Sequence, residues 1–331
     1  MAIGTNSDDL FVGTEGADEY FALGGADIVA GMGGNDLLDL GAGADSAGGG
    51  AGDDLVNGAG GADTFDGGEG NDSLFGGTNV DNLESGDDRI RGGNGNDLLL
   101  GGDGNDFVQG DGGDDEVNGN TGVDLVYGGP GRDFVRGGQG NDTVFGEDGD
   151  DWHVNGNIGD DWVHGGVGND TCFGGQGDDI VLGEEGNDLL YGDRGANEVN
   201  GGEGNDTLFG GPEFDTLVGG AGADRLFATD GEVCAFLGGT GNDTLTAGPG
   251  HDYFFADSGI DAILGFSVGD FVVIGPNAAG IDSFAEVQAA LIAFSNAGGS
   301  GTLLTLGAGN AIELHGIAPL ALTEDSFLFT G

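Results

Sequence analysis

The chain contains no lysine, and its six basic residues are all arginine: Arg89, Arg91, Arg132, Arg136, Arg194 and Arg225. Against 60 acidic residues they leave a formal net charge of −54. Nucleic acid and anionic membrane surfaces are bound through basic patches, so this composition supports neither as a partner. Cysteine is scarce as well. Cys172 and Cys234 are 62 positions apart (234 − 172), which in a stack with rungs about 4.8 Å apart exceeds the ~7 Å Cα separation a disulfide tolerates. No run approaches the ~20 apolar residues of a membrane-spanning helix. The first residues, Met1 to Asp9, carry neither a basic residue nor an apolar stretch and do not read as a Sec-type signal peptide. Aromatic residues make up only 8%. So much acid with so few aromatics would describe a solvated coil unless a pattern overrides it.

A pattern does. Glycine accounts for 80 of the 331 residues, and it recurs in register with aspartate. The unit Gly67-Gly68-Glu69-Gly70-Asn71-Asp72-Ser73-Leu74-Phe75 has the form GGxGxDxUx, with U apolar, and repeats every nine residues. Its aspartate slot is filled by Asp9, Asp18, Asp27, Asp36, Asp45, Asp54, Asp63, Asp72 and Asp81, then, after a shortened unit, by Asp88, Asp97, Asp106, Asp115, Asp124, Asp133, Asp142 and Asp151. One extra residue resets the phase to Asp161, Asp170, Asp179, Asp188, Asn197, Asp206, Asp215 and Asp224; a degenerate unit around Val233 precedes Asp243, Asp252 and Asp261. Of these 29 slots (9 + 8 + 8 + 1 + 3), all but Asn197 and Val233 hold aspartate. Two residues after the slot comes U, as in Phe11, Val29, Leu38, Val56, Phe65, Leu74, Ile90, Leu99, Val108, Val117, Val126, Val135, Val144, Val163, Cys172, Val181, Leu190, Val199, Leu208, Leu217, Leu226, Leu245, Phe254 and Ile263. Cys172 thereby reads as a small core hydrophobe.

The spacing dictates a geometry. The x-U-x triplet is a short strand whose side chains alternate, so only U points inward, and GGxGxD is a turn in which glycine permits positive φ. Two units make an 18-residue rung with a strand on each side and a turn at each edge. Stacked rungs pair their strands in parallel and place Asp97, Asp115 and Asp133 above one another. Like charges 4–5 Å apart repel by roughly 1 kcal/mol even in water. Summed over 27 vertical pairs (29 − 2), the repulsion is on the order of 20 kcal/mol, more than the net stability of a typical domain. A cation is therefore expected between the turns. An all-oxygen donor set suits Ca²⁺, whereas Mg²⁺ demands strict octahedral geometry and zinc requires His or Cys, which here are few and scattered. One Ca²⁺ in each pair, up to about one per repeat, would add 27 × 2 = +54 against the −54 of the chain.

GGxGxDxUx resembles the nonapeptide of the RTX (repeats-in-toxin) family, over about residues 4–264. The resemblance implies an all-β fold, a parallel right-handed calcium β-roll, in which the repeat aspartates and turn carbonyls of adjacent rungs ligate Ca²⁺. It assigns that role to the aspartates named above.

Residues 265–331 read as a small C-terminal α+β cap. Ser283 and Glu286 form a capping box, Phe284, Val287, Leu291 and Phe294 mark one face of a helix, and Thr302–Leu306 with Ala311–Leu314 read as a hairpin. Gly307 to Gly316 and Leu322-Thr323-Glu324-Asp325-Ser326-Phe327-Leu328-Phe329 are similar to the C-terminal region of serralysin-type and other RTX proteins exported by type I secretion, which implies an uncleaved export signal and the type I secretion machinery as a partner.

No catalytic constellation is expected. HExxH is missing, since His153, His164, His251 and His315 are followed by Val, Gly, Asp and Gly. Acid pairs such as Asp53-Asp54 recur as repeat positions rather than as a glycosidase pair. Both tryptophans, Trp152 and Trp162, flank the one-residue insertion, which reads either as repacking around a bulge or as an exposed contact for a glycan or a neighbouring subunit. Outward apolar residues such as Phe107, Tyr127, Phe145, Tyr191 and Phe209 line the strands and offer lateral association. The sequence thus leads to an extracellular structural protein that folds and self-assembles on Ca²⁺, as a surface layer, filament or matrix component. The alternatives are a secreted effector or adhesin acting on host membranes or glycans, and an accessory module of a separate enzyme.

Overall fold

The computed structural model describes residues 1–77, 86–229, 233–255, 257–274, 288, 291–296, 299–307 and 310–329. The chain is an all-β parallel solenoid, and it divides into two compact units, Met1–Thr171 and Cys172–Gly331.

In the first unit each short strand pairs in parallel with the strand two places further along, so alternate strands build two sheets. Leu98–Asp103 lies beside Glu116–Thr121 with Leu99 opposite Val117, and Phe107–Gly112 lies beside Leu125–Tyr127 with Val108 opposite Val126. The offset is the expected 18 residues. The strands exceed the expected triplet: Phe134–Gln139 spans x-U-x-G-G-x, with Val135 and Gly137 facing inward. Val108, Val117, Val126, Val135 and Val144 are completely buried, each contributing about 2 kcal/mol by leaving water. On the outer face aromatic rings stack across neighbouring strands, as Tyr127 does on Phe145 at 4.8 Å.

Two insertions shift the register of this unit without breaking it. Phe65 pairs with Ile90 and Leu74 with Leu99, a step of 25 residues. Asp81 and Leu83, which the nine-residue count places in this step, lie outside the described residues. Further on, Val135 pairs with Val154 and Val144 with Val163, a step of 19. The additional residue follows Asp151, so the core position is Val154 and His153 is displaced outward.

The second unit repeats the scheme. Val181 pairs with Val199, Leu190 with Leu208, and Leu208 with Leu226. One residue is again added where Leu217 meets Phe236. The repeat continues beyond Asp261: Phe254 pairs with Val272, and Asp270 and Val272 are both buried.

The final segment closes both sheets. Asn310–His315 lies parallel to Ser258–Leu264, and Phe327–Phe329 lies parallel to Phe271–Ile274. Each covers a strand edge that would otherwise expose unpaired N–H and C=O groups. The expected hairpin is present as Gly299–Gly307 antiparallel to Asn310–His315. The expected helix is met only at Gln288, which is helical, and not at its C-terminal part. Ser283, Phe284, Glu286 and Val287 lie outside the described residues, while Leu291 and Phe294 belong to a strand, Leu291–Asn296, antiparallel to Gly299–Gly307. A neighbouring strand that offers a full set of backbone partners overrides the weak local helical spacing.

Candidate metal centre

The aspartate slots form four ladders, two in each unit, along the edges where strands turn. In the first unit one ladder runs through Asp9, Asp27, Asp45, Asp63, Asp88, Asp106, Asp124, Asp142 and Asp161, and the other through Asp18, Asp36, Asp54, Asp72, Asp97, Asp115, Asp133, Asp151 and Asp170. The backbone N–H of each aspartate donates to Oδ1 of the next, as from Asp97 to Asp115 and from Asp115 to Asp133, both at 2.8 Å. Asp63 donates to Asp88 at 2.8 Å, so Asp88 occupies the slot above Asp63. In the second unit Asp188, Asp206, Asp224, Asp243 and Asp261 are linked in the same way. The opposite edge runs through Asp179, Asn197, Asp215, Cys234, Asp252 and Asp270.

Three positions differ from the sequence reading. The slot above Asp63, which the nine-residue count gives to Asp81, is held by Asp88. The degenerate slot is occupied by Cys234 instead of Val233: Cys234 pairs with Asp215, and its N–H donates to Asp252 Oδ1 at 2.9 Å. The inserted residue falls before the slot here, which a nine-residue count cannot reveal. Asp270 was missed because glycine thins out around it. Its signal was present nonetheless, nine residues after Asp261 and two before the apolar Val272. Cys172 is fully buried at its core position, and neither cysteine forms a disulfide.

The electrostatics of the ladders are severe. From Asp27 to Asp151 the described slot aspartates are almost completely buried. Oδ1 accepts the backbone bond, but Oδ2 has no hydrogen-bond partner in Asp27, Asp36, Asp45, Asp54, Asp63, Asp72, Asp88, Asp97, Asp106, Asp115, Asp124, Asp133, Asp142 and Asp151, nor in Asp206, Asp224 and Asp243. A buried carboxylate oxygen without a partner costs several kcal/mol. Burial, opposed by the backbone bond and reinforced by neighbouring carboxylates, raises Asp115 and Asp124 to about 7 and Asp133 to about 8. Asp106 and Asp142 rise to about 6 for the same leading reason.

Glycine shapes the space around these oxygens. A methyl group at Gly92 would collide with Oδ2 of Asp97 and with the carbonyl oxygen of Gly110. The missing side chain leaves a cradle where a carboxylate oxygen and a carbonyl oxygen of the following rung face one another. Gly95 has φ +138°, and the Gly70 carbonyl oxygen stands where a Cβ would sit, a conformation closed to other residues. Among the described residues no three His, Cys, Asp or Glu side chains converge, so a cation here would take the balance of its ligands from backbone carbonyls. Hard oxygen donors, a high coordination number and uncompensated negative charge are what Ca²⁺ requires.

The sequence model of a family described as "RTX calcium-binding nonapeptide repeat (4 copies)" matches residues 3–36, 12–47, 48–83, 84–117, 118–152, 153–181, 173–208, 182–217, 200–232 and 236–263. The chain belongs to the RTX calcium-binding repeat family. The RTX matches stop at residue 263, one slot short of Asp270. No curated protein matches the chain. Among solved structures, the extracellular lipase LipA from Serratia marcescens is similar at 18% identity and a TM-score of 0.28, over 53% of this chain and 40% of the lipase. The chain thus spans two fifths of that protein.

Proposed function

We propose that this RTX chain is a secreted structural protein whose solenoid forms when Ca²⁺ enters the turns, and which then self-associates at the cell surface as a layer, filament or matrix component. The observation that carries the calcium step is the run of buried, stacked carboxylates from Asp27 to Asp151, each with an oxygen that nothing in the protein satisfies. Bound Ca²⁺ would neutralise neighbouring carboxylates and complete the valence of Oδ2. The chain's own groups do the rest: the aspartate N–H to Oδ1 bonds set the rung spacing, and the glycines keep the cradles open. Extracellular calcium modules have dissociation constants of about 10⁻⁴–10⁻³ M, so turns of this kind stay empty in the cytosol and fill outside. The C-terminal segment from Gly307 to Phe329, which resembles the export region of type I substrates, is read as both a sheet cap and an export signal. Outward aromatic stacks, such as Tyr191 on Phe209 and Phe209 on Phe227, both at 4.9 Å, supply the apolar surface for lateral contact. Gly265-Phe266-Ser267-Val268-Gly269 has the G-x-S-x-G form but lies in a repeat turn, where the Ser267 N–H donates to Asp270 Oδ2 at 2.6 Å, and the chain is read as non-enzymatic.

The ladder aspartates whose buried Oδ2 has no hydrogen bond, from Asp27 to Asp151 and at Asp206, Asp224 and Asp243, are the core of the proposed ligand set. The test is a calcium titration followed by far-ultraviolet circular dichroism and electron microscopy. A coil-to-β transition in millimolar Ca²⁺ followed by ordered sheets or fibres supports the reading, and monodisperse particles at high calcium and high protein concentration reject the assembly step. One feature favours a second reading as a surface adhesin. Trp152, the inserted residue, is 50% exposed and lies at a cleft of about 540 Å³ lined also by Asp114, Glu116, Arg132 and Phe134. Binding to glycan arrays that is lost in Trp152→Ala would establish it.

A further inference from the structure

Not every slot leaves an oxygen unsatisfied. At the start of the first unit Oδ2 of Asp9 accepts the backbone N–H of Thr5 at 2.6 Å and its hydroxyl at 3.1 Å, and Oδ2 of Asp18 accepts the same pair from Thr14 at 2.6 and 3.0 Å. These turns are closed by their own chain. In the second unit closure takes over one edge from Asn197 onward. Asn197 replaces a carboxylate with an amide, whose Nδ2 donates to the Gly195 carbonyl at 3.1 Å. Asp215 accepts the Asn197 N–H at 3.0 Å and also the backbone N–H of Gly211. Cys234 holds the following slot, with a thiol where the rungs on either side have a carboxylate. Asp252 takes the Gly248 N–H on Oδ2 at 2.9 Å, and Asp270 takes the Ser267 N–H on Oδ2 at 2.6 Å. On the other edge of this unit Asp206 and Asp224 retain a buried Oδ2 with no hydrogen bond.

An ion held between successive turns needs negative charge and unused lone pairs from both. From Asn197 to Asp252 each step on the closed edge contains one carboxylate at most: Asn197 with Asp215, Asp215 with Cys234, Cys234 with Asp252. The last step, Asp252 with Asp270, has two, but both have Oδ2 engaged by an N–H of their own turn. Uptake of an ion would have to break those bonds.

We infer that the edge from Asn197 to Asp270 is held together by hydrogen bonds instead of ions, so that from Asn197 onward the second unit takes up Ca²⁺ along one edge only, that of Asp206 and Asp224, whereas the first unit takes it up along both. The inference rests on the calcium reading above and divides the load among named turns. Its physical basis is that a satisfied or neutral slot gains nothing from a cation, while an orphaned, charged one does.

The experiment uses the full chain. Bound calcium per chain is measured by equilibrium dialysis and elemental analysis in millimolar CaCl₂, together with the calcium midpoint of the circular-dichroism transition. Asp215→Asn and Asp252→Asn should keep the bound calcium and the midpoint of the parent, whereas Asp206→Asn and Asp224→Asn should each lose at least one ion and shift the midpoint at least twofold to higher calcium. Loss of calcium in Asp215→Asn or Asp252→Asn equal to that in Asp224→Asn overturns the inference. Should a closed-edge variant fail to regain β-structure at saturating calcium, the double replacement Asn197→Asp with Cys234→Asp decides. It restores carboxylates to both neutral slots and should raise the bound calcium, and no gain overturns the assignment. A parent chain that binds no calcium at all refutes the underlying reading of every turn, an outcome distinct from equal losses on the two edges.

Discussion

Deprived of metal, the solenoid should fold in acid and come apart as the pH rises towards neutral. In the first unit Asp63, Asp115 and Asp124 are raised to about 7, Asp88 and Asp133 to about 8, and Asp106 and Asp151 to about 6, with burial as the leading cause in each. An aspartate whose folded pKa lies above its unfolded value binds more protons in the folded state. Stability therefore falls as the pH climbs from the unfolded value, near 4, through the folded one, between 6 and 8. One pH unit is worth about 1.4 kcal/mol for each group. For Asp63, moved from 3.8 to about 7, the ceiling is roughly 4 kcal/mol, and solvent near the turns reduces it. Even a quarter of that ceiling, about 1 kcal/mol for each of these seven aspartates, sums to about 7 kcal/mol, comparable to the whole stability of a domain. Below pH 4 the protonated Oδ2 becomes a donor and the penalty disappears. The assay is far-ultraviolet circular dichroism of the dilute chain in excess chelator, stepped from pH 7.5 to pH 3. The expected result is a cooperative gain of β-signal between pH 7 and pH 4 that added calcium makes unnecessary. A chelated chain with full, cooperatively melting β-structure at pH 7.5 would refute the reasoning, as would a chain that stays a coil at pH 3.

Other perturbations act on single positions of the calcium-loaded chain. Asp115→Asn in mid-ladder should lower the bound calcium and raise the calcium midpoint severalfold, while Asp114→Asn, exposed beside it, should move the midpoint by less than a factor of two in the same titration. Gly140→Ala puts a side chain at φ +137° against the Gly122 carbonyl; strain of at least about 1–3 kcal/mol should lower the thermal midpoint by several degrees, measured against the exposed control Gln139→Ala. Leu99→Ala removes a fully buried side chain and should cost about 2–5 kcal/mol in denaturant unfolding. Trp162→Ala, at a position 55% exposed, should stay within about 0.5 kcal/mol of the parent in the same experiment.

The period of nine made the architecture legible because one spacing governs two independent requirements. A core residue must recur on the inner face of each strand, and a turn residue must recur at each edge, so Val117 and Asp115 or Val135 and Asp133 corroborate each other. The period also carried the buried role of Cys172, which nothing in its chemistry would have suggested. The second inward residue of each strand, such as Gly137, was not legible. Its function is to leave room for the Asp142 carboxylate, and a space has no hydrophobic signature. The cap was read in part: the hairpin of Gly299–Gly307 with Asn310–His315 has strong alternation, whereas Leu291 and Phe294, three apart, fit a helical face as readily as a strand.

Insertions mark where counting ceases to determine geometry, because an additional residue can be absorbed on either side of a slot. Next to Asp151 it is absorbed after the slot. Asp151 keeps its place in the ladder, with its N–H on Asp170 Oδ1 at 2.8 Å, while Trp152 is extruded beside Phe134 at 4.6 Å and the core passes to Val154. Next to Val233 it is absorbed before the slot, and a thiol takes the position of a carboxylate. The difference follows from what each side can tolerate. At Asp151 the residues Asp151 and Val154 supply both the slot and the core, and a bulge between them costs only the burial of one solvent-facing tryptophan. At Val233 the apolar residue that fits opposite Leu217 is Phe236, and seating it draws Cys234 into the slot two places earlier. Core packing thus decides which residue fills the slot at that rung, while Asp215 and Asp252 on either side are satisfied by Gly211 and Gly248.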